Sequence, residues 1–228
     1  MLAQGDGRRW NDLDGNPHGG KPKHFVRVMG ERVAERAVRL FREAGCEVVL
    51  VAPDWYPDMG ADRHVTLPSP KVFGHSMDKL VAPKAWWSAD DVTVVAYGDC
   101  FYTEEAAATI ASTEVSGIHY FRRPWASERT GHLWDELFAT AFSPDAHDDV
   151  ERCANLVHGW VNLGLVESDA VHMFHHYTAY LGGRKPWPKR KLWHTPRQTV
   201  IDDWTDDFDR PFEYEDWRKG RIAEGLPV

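Results

Sequence analysis

The sequence predicts an α/β fold in which a mostly parallel sheet is flanked by helices, followed by a mixed α and β C-terminal part. Two short apolar runs, residues 47–52 and 91–97, end at turn residues, as buried parallel strands do. An amphipathic segment over residues 30–45 precedes the first run, and Gly45 is placed to end that helix. Thr103 follows the second run and is placed to cap an Ala-rich helix that extends to Ser112.

The remaining elements follow from local pattern along the chain. In the first half we expect a strand end at residues 1–3, a glycine-rich loop at 5–20, a short strand at 65–67 and a helix at 76–81. In the second half we expect strands at 115–121 and 199–204, helices at 132–142, 145–166, 170–181 and 214–224, and a basic connector at 184–197.

Composition excludes several classes of protein. The 228 residues have a net charge of −8, which excludes a broadly basic nucleic-acid coat but leaves room for a local basic patch. The apolar runs are too short to span a bilayer, and the first ten residues lack an apolar signal core. The three cysteines are scattered without a CxxC pair, which favours a reducing compartment. We therefore expect a cytoplasmic protein without a membrane partner.

The first loop has the composition of a phosphate-binding segment. Glycines at Gly5 and Gly7 allow backbone N–H groups to approach an anion closely. Arg8, Arg9 and Lys23 would supply positive charge to phosphates. The same residues are also compatible with a basic surface loop.

Carboxylates at two distant places suggest a metal site. Asp99 follows Gly98 where the second apolar strand ends, and ligands of open α/β sheets bind at that edge. Residues 202–209 contain five aspartates, which repel one another unless a cation lies among them. The alternatives are a turn aspartate at position 99 and a solvated acidic turn near the C-terminus.

Taken together, these segments resemble the nucleotidyltransferases of the GT-A fold, the group that includes MobA-like proteins and sugar-nucleotide pyrophosphorylases. The resemblance rests on LAQGDGRR at residues 2–9, Pro22-Lys23, the helix and strand that follow, Gly98-Asp99, and FDRPFEYEDW at 208–217. It departs from the family at Arg8, where Ser or Thr is usual. Glycosyltransferases of this fold carry Asp-x-Asp, whereas this chain has Asp99-Cys100-Phe101.

The resemblance implies a GT-A-like, Rossmann-like domain whose residues 1–114 bind the nucleotide and whose residues 115–228 bind the sugar or acceptor. It implies that Mg²⁺ or Mn²⁺ is held by Asp99 and Asp209, with Asp207 as the alternative to Asp209. Lys23 and Arg9 would act on the phosphates. The nucleotide would contact the N-terminal segment and the basic residues, namely Ala3, Gln4, Gly5, Gly7, Arg8, Arg9 and Lys23.

The implied reaction joins a nucleoside triphosphate to a sugar phosphate or similar acceptor and releases pyrophosphate. An alternative is a glycosyltransferase that uses a nucleotide sugar, with a hydroxymethylated base in DNA as acceptor. Basic residues interleaved with Trp over 184–197 suit a nucleic-acid or polyphosphate acceptor. They equally suit a surface connector whose cations balance the acidic turn that follows. Candidate acceptor residues are Arg123, Trp134, Asp135, Lys189, Arg190 and Lys191.

Two further readings of the sequence remain open. The chain could be a nucleotide-binding module without catalytic activity, although the metal aspartates and the phosphate lysine argue against this. His172, His175 and His176 fall on one face of a predicted helix and could bind zinc, but their spacing also suits ordinary packing.

Overall fold

The computed structural model describes residues 1–3, 22–66, 80–124, 126–127, 129–132, 136–163 and 197–228. Its strands are β1 (Arg27–Val28), β2 (Glu31–Arg32), β3 (Val49–Ala52), β4 (Arg63–Thr66), β5 (Thr93–Ala96), β6 (Cys100–Phe101), β7 (Ile118–Arg122), β8 (Leu137–Phe142), β9 (Gln198–Val200) and β10 (Asp206–Asp207). Its α-helices are α1 (Val33–Glu43), α2 (Glu104–Ser112), α3 (His147–Asn162) and α4 (Pro211–Ala223). None of the helices in these ranges is both long and apolar enough to cross a membrane.

The N-terminal residues connect two groups of strands. β3 pairs with β4 in parallel, and β5, β8, β7 and β9 form a four-stranded sheet in that order. Leu2 forms parallel bridges to Val51 beside β3 and to Tyr97 just after β5. Residues 1–3 therefore lie between the two groups, as the predicted strand end requires. Only β8 runs against its neighbours in this sheet, since β9 is parallel to β7.

The predicted helices at 30–45 and 103–112 are confirmed, because local signals specify their ends. Most of the predicted helix at 76–81 lies outside the described residues. Helix α1 buries Ala34, Ala37 and Phe41 in the core cluster that contains residues of β3, and it is followed by Gly45 at φ +91°. That left-handed conformation favours glycine and ends the helix. Thr103 Oγ1 accepts a hydrogen bond from Ala106 N at 3.0 Å, which caps α2 as the sequence predicts.

The helix predicted over residues 132–142 is wrong for its second part. Residues 137–142 form strand β8, and all six are buried. β8 is a central strand between β5 and β7, and because its side chains are buried on both faces its sequence lacks the alternation of a half-exposed strand. A short continuous apolar run does not distinguish such a strand from a buried helix.

The second half agrees with the sequence elsewhere, with shifted ends. The predicted strand at 115–121 is β7, and the predicted strand at 199–204 is shorter, ending at Val200. Helix α3 begins at His147, after a 3-10 turn, and α4 begins at Pro211. The predicted helix at 170–181 lies outside the described residues.

Candidate active site

The site begins where β5 ends. Gly98 N donates a hydrogen bond to Leu2 O at 2.8 Å, which holds the turn against the N-terminal segment. A Cβ atom at position 98 would lie 3.0 Å from the Cβ of Ala3. Only glycine fits this approach without a shift of its neighbours, so Gly98 positions Asp99 at the edge of the sheet.

A two-residue ladder brings the acidic C-terminal turn to Asp99. Strand β10 pairs antiparallel with β6, and Asp207 lies opposite Cys100. Side chains alternate along a strand, so Asp206 and Asp207 point to opposite faces. Asp206 is fully buried, whereas Asp207 is half-buried on the face that carries Asp99. Residues distant in sequence therefore meet at one point, as the resemblance implies.

Lys23 joins these carboxylates. Its Nζ lies 2.8 Å from Asp99 Oδ2, 2.9 Å from Asp207 Oδ1 and 3.0 Å from Asp209 Oδ1. The lysine follows Pro22 and begins a 3-10 turn that runs to Phe25. The predicted phosphate lysine and both predicted metal positions thus form a single cluster.

The charges in this cluster shift one another's pKa values. Burial alone would lower the pKa of Lys23, but the charges of Asp207, Asp99 and Asp209 outweigh it and raise that pKa well above its usual range. Burial alone would raise the pKa of Asp99, but the Lys23 ammonium holds it at about 2. Burial and the two neighbouring aspartates raise the pKa of Asp207. One cation does not balance three carboxylates, so the cluster has a residual negative charge.

The donor set fits a hard divalent cation. Single carboxylate oxygens of Asp99 and Asp207 and the Sγ of Cys100 lie within 4.8 Å of one another. Burial raises the pKa of the Cys100 thiol well above its usual range, so it stays protonated and is a poor ligand for Mg²⁺. The carboxylates of Asp99 and Asp207 are therefore the suitable ligands, whereas the resemblance gave Asp207 only as the alternative to Asp209.

Arg123 is placed differently from its predicted role in holding an acceptor. Its side chain is 1% exposed and forms an ion pair with Asp206, whose side chain is fully buried. The same guanidinium lies 2.5 Å from His132 Nδ1. The Arg123 guanidinium is thus engaged by Asp206, the neighbour of Asp207, and its role in binding an acceptor remains a prediction.

Two further buried ionisable groups interact with the charges of the cluster, and of these Tyr56 was missed by the sequence analysis. Glu136 immediately precedes β8, and burial together with the charge of Asp209 raises its pKa to about 8. Tyr56 follows β3 with its ring buried, and burial together with the charge of Asp99 raises its pKa.

The other predicted site residues divide into two groups. Ala3 is buried beside Gly98, where its N–H donates to Val51 O at 2.9 Å. The rest lie outside the described residues: Gln4, Gly5, Gly7, Arg8, Arg9, Trp134, Asp135, His172, His175, His176, Lys189, Arg190 and Lys191. Their predicted roles remain predictions.

The sequence matches no protein-family profile and no curated protein, but solved structures share its fold. It is similar to the inositol-1-phosphate CTP transferase of T. maritima, with a TM-score of 0.56 and 14% identity over 100% of this chain and 96% of that one. It is also similar to a proposed glucose-1-phosphate thymidylyltransferase of Bacillus anthracis in complex with sucrose, with a TM-score of 0.61 and 11% identity over 100% and 95% of the chains.

A third similar structure is CMP:2-keto-3-deoxy-manno-octonic acid synthetase in complex with CTP, with a TM-score of 0.52 and 13% identity over 90% of this chain and 94% of that one. These matches span nearly the full length of each chain. The predicted fold is confirmed: the chain has the α/β fold of the GT-A-like nucleotidyltransferases.

Proposed function

We propose that this protein is a metal-dependent nucleotidyltransferase. It would join a nucleoside triphosphate to a sugar phosphate or a similar acceptor and release pyrophosphate. The observation that carries the proposal is the meeting of Lys23 with Asp99, Asp207 and Asp209 at the sheet edge of a nucleotidyltransferase fold. In open α/β sheets this edge is where ligands bind.

In this proposal Asp99 and Asp207 hold Mg²⁺ or Mn²⁺, and Asp209 adds a third negative charge beside the ion. The ion would supply positive charge to the phosphates of the bound nucleotide. Lys23, with Arg8 and Arg9 of the N-terminal loop, would bind the same phosphates. The backbone of residues 3–7 would complete the nucleotide site.

The chemistry requires positioning more than covalent participation by the protein. A phosphate oxygen of the acceptor forms a bond to the α-phosphorus of the nucleotide. The bond from that phosphorus to the bridging oxygen breaks, and pyrophosphate leaves with the electron pair. Positive side chains near the β and γ phosphates, such as Lys23, would stabilise the departing charge.

The test is pyrophosphate release from a panel of nucleoside triphosphates and sugar 1-phosphates with Mg²⁺. We expect release that EDTA abolishes and that Asp99→Asn and Asp207→Asn reduce by roughly 100-fold or more, because the carboxylates act on transition-state charge. Asp209→Asn tells whether the third carboxylate is also needed. Asp216→Asn is the matched control, since Asp216 pairs with Lys219 at the surface. Full activity in EDTA or in Asp99→Asn would refute the proposal.

One feature of the sequence supports a second candidate. The segment 184–197 combines Lys and Arg with Trp, a composition suited to DNA. The alternative activity moves a sugar from a nucleotide sugar to a hydroxymethylated base and releases the nucleoside diphosphate. Sugar incorporation into such DNA, lost when Lys189, Arg190 and Lys191 are neutralised, would favour this candidate over the first.

A further inference from the structure

The ammonium of Lys23 is saturated by the protein itself. An ammonium has three N–H donors, and Asp99, Asp207 and Asp209 each present an oxygen to it at 2.8–3.0 Å. The Lys23 side chain is only 10% exposed. In this arrangement it has no N–H donor to spare for a phosphate.

The lysine also contacts the carboxylates that a metal ion would need. It contacts one oxygen of Asp99 and one of Asp207, and these two residues supply the carboxylates of the candidate metal group. Mg²⁺ binds carboxylate oxygens at about 2.0–2.1 Å. A divalent cation held by the same two carboxylates would lie close to the ammonium, and the like charges would repel each other.

We propose that Lys23 is a built-in competitor of the divalent cation, so that the site accepts the cation together with a polyphosphate and discriminates against the free ion. This specificity role rests on the proposed function. When a polyphosphate arrives, its oxygens replace the carboxylates as acceptors for the lysine, and the carboxylates become available to the metal ion. Without a polyphosphate, the metal ion must displace the lysine into a position with fewer acceptors.

The lysine is the member of the cluster that can move. Asp99 follows the turn that Gly98 holds against Leu2, and Asp207 is fixed by its pairing with Cys100. Lys23 carries its charge on a flexible four-carbon stem. Exchange between the carboxylates and a phosphate therefore requires side-chain rotation without rearrangement of the sheet.

The test is Mn²⁺ binding in the absence of any nucleotide, measured by electron paramagnetic resonance of the free ion. We expect Lys23→Met to bind Mn²⁺ roughly 10- to 100-fold more tightly than the wild type, because charge-assisted hydrogen bonds no longer compete. The control Lys84→Met removes a surface lysine that pairs with Glu151, and it should leave Mn²⁺ affinity unchanged. Adding Asp99→Asn to Lys23→Met should abolish the gain.

A measurement on the wild type makes the test independent of any variant. Reductive methylation followed by mass spectrometry should label Lys23 faster in saturating Mn²⁺ than in EDTA, whereas labelling of Lys84 should not change. Inorganic tripolyphosphate should increase the affinity of the wild type for Mn²⁺, after correction for the Mn²⁺ that free tripolyphosphate binds in solution. Lys23→Met should lose this increase.

Unchanged Mn²⁺ affinity in folded Lys23→Met would overturn the proposal. If that variant does not fold, the same result in Lys23→Gln would overturn it. Unchanged labelling of Lys23 in Mn²⁺ would also overturn it. Neither readout depends on turnover. A protein that shows this competition but releases no pyrophosphate would contradict the proposed function and leave the competition intact.

Discussion

The buried ion pair between Arg123 and Asp206 makes a strong prediction about stability. Both side chains are almost fully buried, and the Oδ1 of Asp206 also accepts a hydrogen bond from Asp207 N at 3.0 Å. Arg123→Met would leave the Asp206 charge buried, with His132 Nδ1 as a basic group 3.4 Å from its Oδ2. Breaking a buried pair in this way costs about 3–5 kcal/mol.

For a chain of this length, 1 kcal/mol corresponds to roughly 2–4 °C in Tm, so we expect Arg123→Met to melt about 6–20 °C lower. The assay is urea unfolding followed by tryptophan fluorescence, with thermal unfolding by circular dichroism as a second measurement. The matched control is Arg129→Met, which breaks the surface pair with Glu224 at 3.4 Å. An exposed pair contributes about 0–1 kcal/mol.

The double variant Arg123→Met/Asp206→Asn separates loss of the pair from loss of packing. Removing both charges should restore part of the lost stability, because no unpaired charge then remains buried. If Arg123→Met loses no more stability than Arg129→Met, the reasoning is refuted. If the double variant lost more unfolding free energy than the two single variants lose in total, Asp206 could not be the uncompensated charge in Arg123→Met.

Three further predictions concern the site. In EDTA, burial and the charge of Asp209 hold the pKa of Glu136 at about 8, against 4.5 as the ordinary value, so the folded state resists ionisation that the unfolded chain accepts. The free energy of unfolding of the wild type should therefore fall relative to that of Glu136→Gln as pH rises from 4.5 to 8, by at most about 1.4 kcal/mol per pH unit. A constant difference between the two proteins in urea unfolding across this range would contradict the prediction. Gly98→Ala should cost roughly 1–3 kcal/mol in urea unfolding because its Cβ meets that of Ala3 at 3.0 Å, and an unchanged midpoint would show that the contact relaxes freely. Lys23→Ala should weaken nucleotide binding in Mg²⁺ by roughly 10- to 100-fold in titration calorimetry, as expected for a lost charged hydrogen bond. An unchanged Kd would show that Lys23 does not contact the phosphates.

Local signals in the sequence were sufficient for much of the first half of the fold. The apolar periodicity of α1, the glycine after it and the Thr103 cap each act within a few residues, so they can be read without knowledge of the fold. The same is true of Gly98-Asp99 at the end of an apolar strand. The resemblance then indicated which distant aspartates would meet, an association that spacing alone does not contain.

Tertiary structure decided what depends on neighbours from elsewhere in the chain. The segment 137–142 is a strand because it lies between β5 and β7, and burial on both faces removes the alternation that would identify it. Arg123 is an internal partner of Asp206 because the ladder between β6 and β10 turns that carboxylate inward.

The same ladder decided how the acidic residues divide their roles. Asp206 and Asp207 are adjacent and chemically identical, but alternation along β10 turns one toward Arg123 and the other toward Lys23 and Asp99. The sequence by itself determined that carboxylates and a lysine of this kind were present and near sheet edges. Only the folded chain determined that three of those carboxylates share one ammonium, because such a contact depends on strand register and on residues far apart in sequence.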